Sequence, residues 1–259
     1  MKQALGLAVV VAGLFIGVLA LLDIGRRIGI RRRERGLEST GDAYVVADGA
    51  VFGLMGLIIA FTFSGAGARF DARRQLVGQE ANAIGTAYLR LDLLPPGAQP
   101  ELRQDFRNYV EARIAMYRHL KLDPPAAKDD QARAASFQRK IWTQAVSACR
   151  EEESVAAQWL VISALNQMID SSTTEAVARM THPPGVIYWG LMVLVLAGAL
   201  LAGYGMAESK RTSWIHMLAF SAMMAAAIYI ILDLEYPRLG LIRIDAVDQV
   251  LVDVRNSMN

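Results

Sequence analysis

The sequence predicts an all-α membrane protein, with four transmembrane helices and a helical soluble domain inserted between the second and third. Hydrophobic residues make up 54% of the 259 positions and charged residues 20%, a membrane-protein balance. Four segments approach the roughly 20 apolar residues needed to cross a hydrocarbon core: Ala4–Leu22, Ala43–Ser64, Val186–Ala207 and Ser213–Leu234. The polar stretch of about 120 residues between the second and third repeats its apolar positions at helical spacing, and no segment shows the alternation of a strand.

The first span follows Lys2, as a secretory signal would. It is too long for one, and it runs into "DIGRRIGIRRRER" where a small-residue cleavage site would stand, so a retained span is expected. The second span leaves the apolar region through "FSGAGARF" with no proline and no polar turn, which predicts one helix continuing out of the membrane. "LPPGAQP" at 94–100 and "LDPPAAKDD" at 122–130 break the chain that follows, because proline removes a donor and biases its predecessor away from helix.

Three amphipathic stripes lie within the insert: Leu102, Phe106, Tyr109, Val110, Ile114, Tyr117 and Leu120, then Phe137, Ile141, Trp142, Val146 and Cys149, then Val155, Trp159, Ile162, Leu165 and Ile169. All three are expected to be core. "THPPG" at 181–185 ends the insert. The resulting division is 1–68 for the first transmembrane pair with its arginine-rich loop, 69–184 for the soluble domain, 185–235 for the second pair, and 236–259 for a C-terminal segment packing on the soluble domain.

Several classes of function are excluded by what is missing. The net charge of +2 supplies no basic field for nucleic acid. Cys149 is alone, and His119, His182 and His216 are scattered without carboxylate or thiol at ligand spacing, so no metal site is expected. "GAGARF" at 65–70 lacks the third glycine of a dinucleotide fingerprint and follows a span, not a strand. No nucleophile motif appears either, and the sequence calls for neither an enzyme nor a cofactor.

The second span carries more information. At 100° per residue, Asp48, Phe52, Met55, Ile59, Phe63 and Ala66 share a face, read as pore-lining if copies gather around an axis. A carboxylate in a span faces a bundle interior or water, because burying it in lipid costs a few kcal/mol, although Asp48, near the start of its span, can equally snorkel to the interface. Gly49, Gly53 and Gly56 fall at helix-packing spacing on a neighbouring face. Beyond the membrane, Arg69, Arg73 and Glu80 are placed to form charge pairs along the helix or between neighbouring copies, an assembly role. Asp233, Arg238 and Arg243, with Glu235, surround Pro237 and Gly240 in a turn suited to docking the C-terminus, and they are read as assembly residues too.

Orientation follows from the short loops. Residues 23–42 hold six arginines against four acids, and the other short loop adds Lys210 and Arg211. Both vote for the cytoplasm, which puts the soluble domain on the non-cytoplasmic side.

The stretches "FTFSGAGARFDARRQLVGQEANAIGTAYLRLDLLPP" and "ILDLEYPRLGLIRI", together with the order of spans, resemble the bestrophin-like family of bacterial membrane proteins, catalogued as a domain of unknown function. The resemblance covers nearly the whole chain. It implies four spans with a helical insert and a location in the bacterial cytoplasmic (inner) membrane, where the lipid bilayer, further copies of the chain and inorganic ions would be the partners.

Bestrophins are pentameric ion channels whose second span lines the pore and bears bulky apolar residues at a neck. The resemblance thus implies a homo-oligomer, a pentamer by analogy, with Phe61 and Phe63 at the gate or neck. Two features differ from that pattern. In bestrophins the helical domain is cytoplasmic, opposite to the arginine count here, and this sequence has no acidic cluster of the kind that forms a calcium clasp. The alternative reading is a non-conducting, membrane-anchored sensor or partner-binding module.

Overall fold

The computed structural model describes residues 2–36, 42–208, 213–237, 241–242 and 245–258. Eight α-helices form among them: α1 (Lys2–Glu34), α2 (Asp42–Leu89), α3 (Gln99–Leu122), α4 (Pro124–Glu151), α5 (Val155–Met180), α6 (Gly185–Gly205), α7 (Trp214–Glu235) and α8 (Asp245–Asn256). Four stretches are long and apolar enough to cross a bilayer: Gly6–Glu34, Asp48–Leu93, Val155–Gly205 and Trp214–Glu235. The chain divides into two compact units. One comprises Lys2–Arg69 and His182–Tyr236, the other Phe70–Thr181 and Pro237–Asn259.

The helix boundaries follow from capping and proline. A 3-10 turn, Arg90–Leu93, tightens the end of α2 before Pro95 and Pro96 stop it. The breaks in the insert are shorter than the proline clusters suggest. Pro100 lies in the first turn of α3, where a missing N–H costs nothing. Between α3 and α4 only Asp123 is non-helical; its carboxylate accepts from Ala126 N at 3.3 Å, and Pro124 opens the next helix. Ser154 caps α5 in the same way, its hydroxyl accepting from Ala157 N at 3.3 Å.

In the membrane unit, α1 packs closely on both α6 and α7. The α1–α6 contact is backbone against backbone. A methyl added at Gly25 would fall on the Leu200 carbonyl, one at Gly203 on the Leu22 carbonyl, and one at Gly29 on Ala207. Small residues allow this approach, so dispersion and not a hydrophobic drive holds the pair. Arg33, at the end of α1, donates to the Ala207 carbonyl. The glycines that the sequence singled out for close packing, Gly49, Gly53 and Gly56, do no such work in the protomer, and nothing lies within 4 Å of where their Cβ atoms would be.

The soluble unit is a helical bundle around Ile84, Leu91, Leu102, Phe106, Tyr109, Met116, Ile141, Leu165 and Met168, all fully buried. Leu251 of α8 and Met258 complete this core, and the Met258 carbonyl accepts from Tyr88 Oη and Arg107 Nη1. The stripes expected on α3 and α4 are buried or partly buried. On α5 the expected stripe holds at Ile162, Leu165 and Ile169 but not at Val155 and Trp159, which are exposed, and Ala157, Val161, Ala164 and Met168 are also buried. Small side chains there let α5 sit close to its neighbours, and the large Trp159 ring is left outside.

Candidate functional site

Helix α2 presents two opposite faces. Met55 and Ala66 are buried inside the protomer, and Met55 lies with Phe52 against Gly198 of α6, Met55 Sδ being 3.0 Å from where a Gly198 Cβ would stand. Asp48, Phe52 and Ile59 are half-buried on the same side. The face proposed from sequence is therefore largely the one that α2 turns toward its own unit. Phe63, 47% exposed, is at its edge.

The outward side carries Leu54, Leu57 and Phe61, exposed by 52%, 51% and 69%. It also carries the open glycines Gly49, Gly53 and Gly56 and the exposed Ala60. At 100° per residue these form two flanks, one of bulky apolar side chains and one of small residues running up to Phe63.

Three of the charged residues proposed for assembly, Arg69, Arg73 and Glu80, each meet a different partner within the chain. Arg69 donates through Nε and Nη2 to Glu235 Oε2, both at 2.8 Å. The other Glu235 oxygen meets His182 Nδ1 at 2.8 Å, and the imidazole stacks on Tyr236 with ring centroids 4.9 Å apart. This cluster ties the end of the membrane half of α2 to the start of the second pair and to the end of α7. Glu235 and Asp233 are fully buried.

Arg73 donates to the carbonyls of Ala178 and Thr181 at 3.2 and 2.9 Å, satisfying the C-terminal end of α5. Glu80 is fully buried with Arg113, which forks onto it at 2.6 Å (Nε–Oε1) and 2.8 Å (Nη2–Oε2). Tyr117 Oη donates to Glu80 at 2.9 Å, and Glu175 lies 3.3 Å from Arg113 Nη2. Arg69, Arg73 and Glu80 thus do not pair along α2 as their spacing suggested. Their partners come from distant segments, and helical spacing reports only near neighbours. Arg238 and Arg243 lie outside the described residues.

Burial shapes the titration of the soluble core. Desolvation opposes the charge on Arg113, yet Glu80 outweighs it and the guanidinium pKa is raised well above its ordinary value. Burial, then the negative charge of Glu80, pushes the Tyr109 and Tyr117 phenols upward.

The outer half of α2 and α5 enclose a groove of about 690 Å³ on the soluble unit. From α2 come Gln79, Asn82 and Thr86, and from α5 Asn166, Gln167, Asp170 and Thr174, with further hydroxyls from Ser163 and Ser171. Asp170 is the one ionisable side chain in this lining. Sequence reasoning missed the groove, although a signal was present: the outward positions of α5 between Ser163 and Thr174 are amides and hydroxyls at helical spacing.

A family model described as the bestrophin-like domain matches residues 12–248. Crystal structures of variants of a bacterial bestrophin homologue from Klebsiella pneumoniae share the fold. One aligns with TM-score 0.72 at 14% identity over 94% of this chain and 98% of that one. A second gives 0.69 at 15% identity over 95% and 98%, and a third 0.69 at 16% over 93% and 99%. No curated protein matches the sequence.

Proposed function

Because the chain belongs to the bestrophin-like family, we propose that it is a homo-oligomeric ion channel, a ring of five copies by analogy, with α2 around the axis. The observation that carries this reading is the outward face of α2. Leu54, Leu57 and Phe61 are exposed on it by 52%, 51% and 69%, while Met55 on the other side packs on Gly198 of α6. Large apolar side chains repeated around an axis form a constriction that gates by resisting wetting. The glycine flank beside them suits close approach of a neighbouring copy.

This reading keeps Phe61 at the neck and moves the pore lining from the face first considered. Phe61 and Leu57 form the neck, Phe63 stands at its edge, and Met55 and Ala66 belong to the packing of one protomer. The channel lies in the bacterial cytoplasmic membrane, with residues 23–42 on the cytoplasmic side and the soluble unit on the other, an orientation that the arginine count supports.

Ion flux through vesicles reconstituted with purified oligomer tests the proposal. Phe61→Ala and Leu57→Ala raise flux several-fold, Phe63→Ala raises it less, and Met55→Ala leaves it at the wild-type level in protein that remains assembled. No flux from wild type or from Phe61→Ala, in an intact oligomer, would replace the channel with the membrane-anchored module.

A further inference from the structure

We infer that the outward face at the end of α1, where Arg27, Arg31 and Arg35 stand one turn apart among Ile24 and Ile28, binds the headgroup phosphate of anionic phospholipids. The surface belongs to a conducting oligomer and to a non-conducting anchor alike.

Helix α1 is longer than its apolar run. The run ends at Leu22, yet the helix continues unbroken to Glu34, so the segment after Leu22 leaves the hydrocarbon core as a rigid rod. Packing fixes its rotation. Gly25 lies against the Leu200 carbonyl and Tyr204 N, and Gly29 against the Tyr204 carbonyl and Ala207, where an added methyl has no room. At 100° per residue Arg27 lies directly opposite that contact, and Arg31, Ile24, Arg35 and Ile28 follow within the next 100°. All five are exposed.

The chemistry of this face matches a headgroup layer better than bulk water. A helix surface that meets only water mixes both signs of charge, whereas Asp23–Gly36 holds six arginines and two acids. Asp23 Oδ2 takes Arg27 Nε at 2.7 Å, but Arg31 and Arg35 meet no carboxylate among the described residues. Ile24 and Ile28, exposed between the arginines, gain nothing from water and are covered by the glycerol and upper acyl chain of a lipid. Direction completes the match. Each Cα–Cβ bond of an α-helix tilts toward the N-terminus, and the N-terminal part of α1 is the membrane-spanning one, so the arginine stems lean back toward the bilayer. At 1.5 Å per residue Arg27 and Arg31 stand about 4–5 Å and about 10 Å beyond Ile24, against a headgroup layer of about 5–7 Å on each side. These two reach the phosphates, and Arg35, about 16 Å out, adds to the attracting field across a Debye length of about 10 Å. A guanidinium meets phosphate oxygens in pairs through its planar fork. A lipid with net negative charge is favoured over a zwitterionic one, whose choline opposes the arginines.

Native mass spectrometry of the purified full-length protein in detergent, titrated with dioleoyl phosphatidylglycerol or dioleoyl phosphatidylcholine, tests the assignment. Wild type retains phosphatidylglycerol in preference to phosphatidylcholine, and added salt weakens the preference. Arg31→Gln lowers the preference by about fivefold, and the triple change Arg27→Gln, Arg31→Gln and Arg35→Gln abolishes it. Arg31→Gln keeps the other arginines that hold the topology, so it decides the matter even where the triple variant misfolds. Arg32→Gln removes the same charge from outside the stripe and lowers the preference less. Equal retention of the two lipids by wild type would overturn the inference, as would a preference that survives Arg31→Gln in folded protein. Displacement of phosphatidylglycerol by inorganic phosphate at equal concentration would overturn it in favour of a free anion. An equal loss in Arg32→Gln would overturn the stripe and leave only bulk charge. A loss of oligomer in the triple variant, with the lipid preference intact, would overturn it too and make the face a contact between copies.

Discussion

Arg113 and Glu80 form a two-bond fork, 2.6 and 2.8 Å, in which neither side chain is more than 5% exposed. The pair joins α3 to the outer half of α2, and Tyr117 and Glu175 satisfy further valences around it. Removing one partner leaves the other charge buried without its counterion, which costs about 3–5 kcal/mol. Arg113→Met should therefore lower the thermal melting temperature of the detergent-solubilised protein sharply. Glu80→Leu combined with Arg113→Met should recover much of the loss, because Glu80 is then no longer an orphan charge and Glu175 keeps Arg179 at 3.9 Å.

The contact between α1 and α6 depends on two glycines that face carbonyls. Gly25→Ala and Gly203→Ala each place a methyl on backbone, which cannot swing aside. Each should destabilise the protomer by about 1–3 kcal/mol or more, the usual cost of overpacking. Gly53→Ala meets nothing within its own chain. It should leave melting of the monomeric fraction unchanged, and any effect should show only in the amount of oligomer by size-exclusion chromatography.

Alkaline pH should weaken the soluble unit. Tyr109 and Tyr117 have phenols raised above the ordinary value of 10.0, by burial first and then by the charge of Glu80. Above pH 10 the unfolded chain releases these protons while the folded chain retains them. Stability thus falls as pH rises through that range, and is fully present below it. Melting followed from pH 8 to 11 should be level at first and then decline. Tyr117→Phe should shallow the decline.

Orientation is accessible to reporter fusions. A cytoplasm-active reporter after Arg35 should give signal, and one after Lys128, on the exposed side of α4, should give none. The reverse pair of results would mean that the arginines of residues 23–42 are held on the far side, and would put the soluble unit in the cytoplasm.

Several features of the chain are local and were fixed by sequence alone. Hydropathy over about 20 residues marks a span wherever the segment is placed. An uninterrupted run without proline from Asp42 to Leu89 gives one helix because nothing in it removes a backbone donor. Proline clusters mark the ends of helices to within a turn, although Pro100 and Pro124 show that a proline can open the next helix as readily as close the last.

What only the tertiary structure decided is which side of each helix faces what. The membrane half of α2 is apolar or small around almost its whole circumference, so no periodicity distinguished the sector packed on Gly198 from the sector bearing Phe61. The same ambiguity on α5 left Trp159 outside and Ala157 within. Nor could spacing pair Arg69 with Glu235, or Glu80 with Arg113, since charge partners far apart in sequence are chosen by folding. A helix advertises its existence through local composition, whereas its orientation about its own axis is settled by the volumes and charges of neighbours that the chain brings from elsewhere.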